Sequence, residues 1–137
     1  MQIQLRLVIL WLLCTIGMIL HFNYHVSELF YGINVVRPDA NGEVPLGVFI
    51  IRSVFYHLPF VWILLIMYYK TMFVKISLFI TSILYSVAHL AHVIGELMKP
   101  KFDISQTALL FLVLATAIIL TKEHFHYWKN NSTSQNK

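Results

Sequence analysis

The chain has 137 residues, 58% hydrophobic and 12% charged, with ten Lys and Arg against six Asp and Glu. That balance excludes a soluble globular fold, and the length leaves room for one membrane-embedded unit rather than two domains. The bases stand at the edges of apolar segments instead of forming a patch, which excludes nucleic-acid binding and fits helices anchored in lipid.

At about 1.5 Å per residue, roughly 20 apolar residues cross a bilayer. Four segments meet that length, at about 4–30, 48–69, 76–97 and 104–121. In the first, Arg6 followed by "LVILWLLCTIGMIL" has the layout of a secretory signal, but the helical pattern runs on toward Gly32 without a small-x-small cleavage site. Cys14 is the single cysteine, so no intramolecular disulfide forms; Leu13 before it argues against lipidation. A longer loop, "NVVRPDANGEVPLG", leads to the second span, and "YYKTMFVK" and "MKPKFD" are tight connections. Short links make neighbours antiparallel, so the expected fold is an all-α integral membrane four-helix bundle running up-down-up-down.

Arg6, Lys70, Lys75, Lys122, Lys129 and Lys137 fall on one side of the spans, and Arg37, Arg52, Lys99 and Lys101 on the other. The excess places both termini in the cytoplasm, with Tyr127 and Trp128 as an interfacial anchor there. Residues 1–128 then form the bundle and 129–137 a disordered polar tail. The tail carries Asn-x-Ser/Thr sites at Asn130 and Asn131, which stay unglycosylated on that side. His124 and His126 read as interfacial residues of the same end.

The third span contains "YSVAHLAHVIGEL", where His89, His92 and Glu96 lie within about 60° of arc on a helix. Tyr85 and Ser82 continue the same stripe. The first span repeats the pattern in "LHFNYHVSEL", with His21, His25 and Glu28 on one face. Counting from the cytoplasmic edge puts His57 near ~18 Å, His89 near ~20 Å, His21 and His92 near ~25 Å, and His25 and Glu96 near ~30 Å. Glu28 follows just above, with Arg52 and Asp103 at the rim. Pro59 is expected to free a carbonyl and bend the second span beside this layer. Below His57 and Ser82 the spans look apolar, which describes a cup rather than a pore.

Ionisable groups at membrane depth are costly and normally mark a functional site inside a bundle. Imidazoles and carboxylates without thiolates suit iron, zinc, copper or manganese. The metal set is therefore His21, His25, His57, His89, His92, Glu28 and Glu96, with donors enough for two ions. Glu28 and Glu96 are also the proton-transfer candidates, and Tyr85 a donor behind the ligands. Three functions follow: a metal-dependent oxidoreductase or hydrolase acting on a lipid or quinone, a metal-ion or proton transport component, or a haem b-binding or structural subunit of a larger membrane complex. Membrane lipids, and further copies or subunits, are the expected partners, and the cell membrane the location.

Overall fold

The computed structural model describes residues 2–38, 40–99 and 103–132. Four of its helical stretches are long and apolar enough to cross a membrane: Ile3–Tyr31, Leu46–Tyr68, Met72–Leu97 and Ile104–Lys129. Lys101, Lys137 and tail residues 133–137, all used above, lie outside the described residues.

Helix α1 (Ile3–Ser27) tightens into a 3₁₀ turn over Glu28–Tyr31. Gly32, at a φ of 75°, ends it in the left-handed region, and its amide returns to the carbonyls of Glu28 and Leu29. Only glycine enters that region without a Cβ penalty.

The second span has two helices, α2 (Leu46–Arg52) and α3 (Leu58–Tyr68), joined by a π turn over Ser53–His57. Pro59 explains the turn. The Leu58 amide reaches back five residues to the Ser53 carbonyl. In the same register Val54 would accept from residue 59, but proline has no N–H to give. The Tyr85 hydroxyl, from the third span, donates to the Val54 carbonyl instead. Tyr85→Phe is thus expected to leave a half-buried carbonyl unpaired and to cost about 1 kcal/mol, read as a lowered thermal midpoint by circular dichroism in detergent.

Helix α4 (Met72–Leu97) starts at Thr71, whose side chain accepts from the Val74 amide at 3.4 Å. Helix α5 (Ile104–Ser132) is the longest, at 29 residues. It packs along both α4 and α1, while α3 lies on α1 and only brushes α4. Arg6 meets Glu123 near one end of the α1–α5 pair, and Glu28 meets Gln106 near the other, so these two helices run in opposite directions.

Buried side chains recur at steps of three and four, as interlocking helix seams require. They are Leu7, Trp11, Cys14, Met18 and His21 on α1, and Leu110, Val113, Ala117, Leu120, His124 and Tyr127 on α5. The opposite faces carry exposed Leu, Ile and Phe, such as Leu13, Ile16, Phe111 and Leu112, as a lipid-facing surface does.

The α5 helix and its seam run on past residue 121, where the fourth span was expected to end. His124 is fully buried in that seam, and its Nε2 accepts from Trp11 Nε1 at 3.0 Å. Tyr127 is buried as well, accepting from Gln4 Nε2 at 3.4 Å, with the Lys75 ammonium 4.8 Å from its ring centre. His126 stays exposed. The end of the bundle that looked apolar in sequence therefore contains its own polar core. The periodicity continued through "TKEHFHYW", but charged residues on the outer face of α5 disguised it.

Candidate functional site

At the opposite end, α1, α4 and α5 bring their polar side chains together. The His21 ring sits edge-on between His25, at 4.6 Å between centroids, and His92, at 4.7 Å. His25 and His21 lie one helical turn apart, whereas His92 reaches across from α4. The contact crosses the bundle between two helices whose backbones do not otherwise pack together.

Each carboxylate has a partner. Glu28 Oε1 lies 3.6 Å from His25 Nδ1 and accepts from Gln106 Nε2 at 3.1 Å. Glu96, 3% exposed, accepts from Lys99 Nζ at 2.7 Å. Above them opens a cavity of about 460 Å³, lined by Tyr24, His25, Glu28, Glu96, Lys99, Asp103 and Gln106 among others. Neither Lys99 nor Gln106 was among the sequence candidates. Gln106 stands four residues before Leu110 on the α5 seam, which is the signal that would have exposed it.

Asp103 caps α5 at the rim. Its carboxylate accepts from the amides of Ser105 at 2.7 Å and Gln106 at 3.2 Å, and from the Ser105 hydroxyl. The Ser105 hydroxyl first, then these amides and the nearby His25, hold the Asp103 carboxyl below the usual carboxylate range. A depressed carboxyl contributes stability present in full above its unfolded value and lost as pH falls through the folded one. Asp103→Ala is expected to cost about 1 kcal/mol at neutral pH. Asp103→Asn should keep most of the cap and flatten the acid-side loss, as pH-dependent melts would record.

His89 lies deeper, 1% exposed, its ring centre 5.4 Å from Phe55 and 6.1 Å from Tyr85. Among the described residues neither of its nitrogens has a hydrogen-bond partner, and His21 Nδ1 lacks one too. Buried polar atoms are rarely left so. Tyr85 is buried beside it, but its hydroxyl is engaged on Val54 and its ring packs edge-on against Trp11 at 4.9 Å.

His57 does not join the cluster. It is exposed, in a separate groove with Ile19, Phe22 and Arg52. The inward residues of that span are Phe55 and Pro59, and a residue two positions from each points about 200° away. Residue counting fixed the height of His57 but not its direction.

The structure therefore groups His21, His25, His92, Glu28 and Glu96, with His89 beneath and His57 apart. Among the described residues no three His, Cys, Asp or Glu side chains are arranged to hold a metal ion as they stand. The donor chemistry suits a borderline metal, with unpaired imidazole nitrogens at hand, but ligation requires these rings to turn. No protein family, curated protein or solved structure matches the chain.

Proposed function

We propose that the chain is a multi-pass membrane protein, an up-down-up-down bundle with both termini in the cytoplasm, that binds a divalent transition metal at its outer end. His21, His25 and His92 are the imidazole donors, with Glu28 and Glu96 as carboxylate donors or proton acceptors. One observation carries the reading: His21 packs edge-on against both His25, at 4.6 Å, and His92 of a separate span, at 4.7 Å, and two carboxylates stand around them. Ionisable groups gathered at membrane depth are costly to place there and normally mark a functional site.

When bound, such an ion supplies Lewis-acid activation of a water or carbonyl oxygen. The chain's own part is to hold the imidazoles on rigid helices, to keep Lys99 and Gln106 on the carboxylates, and to open the cavity toward the headgroup layer. A lipid or quinone headgroup is the substrate class that this position favours. Inward conduction is disfavoured, since Trp11, Tyr85 and Phe55 fill the path below His89.

The test uses full-length protein purified in mild detergent and titrated with Zn²⁺ or Co²⁺. Wild type should bind with an affinity that falls roughly tenfold or more in the His21→Ala, His92→Ala double variant. Equal uptake by both proteins would remove the cluster from the ligand set. One further observation favours a second reading, as a structural brace in a larger membrane complex. The pairs Glu28–Gln106 and Glu96–Lys99 already satisfy both carboxylates. Metal-free wild type with a destabilised double variant would select it.

A further inference from the structure

We propose that the groove between α1 and α2 seats an anionic phospholipid, with its phosphate on Arg52 and His57 and an acyl chain along Ile19, Phe22 and Ile51. The groove encloses about 390 Å³ and is lined by these residues with Tyr56 and Val48. It is separate from the histidine cluster.

Arg52 carries the argument. It stands inside an apolar span, six residues past Leu46, or about 9 Å along the helix. No described residue gives its guanidinium a hydrogen bond or an ion pair. A cation at that depth must find an anion or reach the headgroup layer, and none of the groove's lining residues is acidic. A guanidinium matches phosphate with paired, charge-assisted hydrogen bonds.

The neighbours complete an amphiphile's outline. His57 is exposed in the same groove as Arg52 and, among the described residues, has no hydrogen-bond partner; Tyr56 lines the groove with them. The walls are apolar and open outward, with Phe22 52% and Ile51 56% exposed. A free phosphate ion would use only the rim; a phospholipid uses rim and walls together.

Native mass spectrometry of the full chain in mild detergent, titrated with phosphatidylglycerol or phosphatidylcholine, tests the seat. Phosphatidylglycerol should bind in preference, and Arg52→Gln should weaken it about fivefold, the effect of one basic residue at a membrane surface. Arg52→Lys should fall between the two. Phosphatidylcholine binding as well as phosphatidylglycerol, or Arg52→Gln binding like wild type, overturns the proposal. So does Arg52-dependent binding of inorganic phosphate that leaves the retention of both lipids unchanged. If Arg52→Gln does not fold, wild type at raised salt replaces it: phosphatidylglycerol retention must fall while phosphatidylcholine retention holds, and parallel behaviour refutes the seat.

Discussion

Replacing Trp11 by alanine is expected to cost the fold about 3–5 kcal/mol, the range for emptying a buried aromatic site. Trp11 is wholly buried where α1, α4 and α5 meet, edge-on to Tyr85 and bonded to His124. Two contributions are mixed in that figure, and further variants separate them. Trp11→Phe keeps most of the ring packing but removes the donor to His124 Nε2. Because that nitrogen accepts, the ring proton sits on Nδ1, which has no partner of its own. The phenylalanine variant therefore leaves His124 with no hydrogen bond, at about 1–3 kcal/mol. Adding His124→Leu removes the stranded imidazole and should recover much of that loss. Circular dichroism melts in one detergent give all four stabilities. A double variant no more stable than Trp11→Phe would show that the hydrogen bond matters little beside packing.

Gly17→Ala is the second large effect, and it acts through contact rather than cavity. A Cβ built on Gly17 falls 2.3 Å from Val113 Cγ2 on α5, far inside van der Waals contact. Val113 is buried and β-branched, so its methyl has little freedom to swing away. Helix pairs in membranes gain stability from close approach at small residues, and one added methyl forces α1 and α5 apart. The expected loss is about 1–3 kcal/mol, typical of overpacking. Val113→Ala on its own removes buried apolar volume, but combined with Gly17→Ala it makes room for the new methyl. The pair should be more stable than the sum of the single losses, and strictly additive melting shifts would contradict the clash.

The two effects bear on the site because α5 is the helix that α1 and α4 share. Through it α1 and α4 hold His21 and His92 edge to face without packing backbone on backbone. Loosening the α1–α5 contact at Gly17 should therefore disturb the His21–His92 approach one turn away. Metal titration of Gly17→Ala is a sensitive readout of that linkage.

The candidate site was legible in sequence to a mixed degree. The pairing of two His-His-Glu stripes was readable because both are set by helical period alone, and His21, His25 and His92 do come together. His57 was not placeable in the same way, since a single histidine has height but no stripe to fix its face. The π turn before Pro59 further shifts the register there. Gln106 was overlooked because its partner is far along the chain, Glu28 being distant in sequence and adjacent in space; Lys99, only three residues past Glu96, was counted as a flanking base of the span and not as that carboxylate's partner.

By itself the sequence determined the number of the apolar helices, their approximate extents except at the start of α4 and the end of α5, and the two polar stripes. These follow from hydropathy and from a backbone repeat that each segment carries locally. Tertiary structure alone decided that His124 is core, that Tyr85 repairs the carbonyl Pro59 leaves bare, that His57 turns outward, and that Glu28 is already paired with Gln106. Each depends on the rotation of one helix against another. That rotation is set by where small residues such as Gly17 admit close packing, and no single segment contains that information.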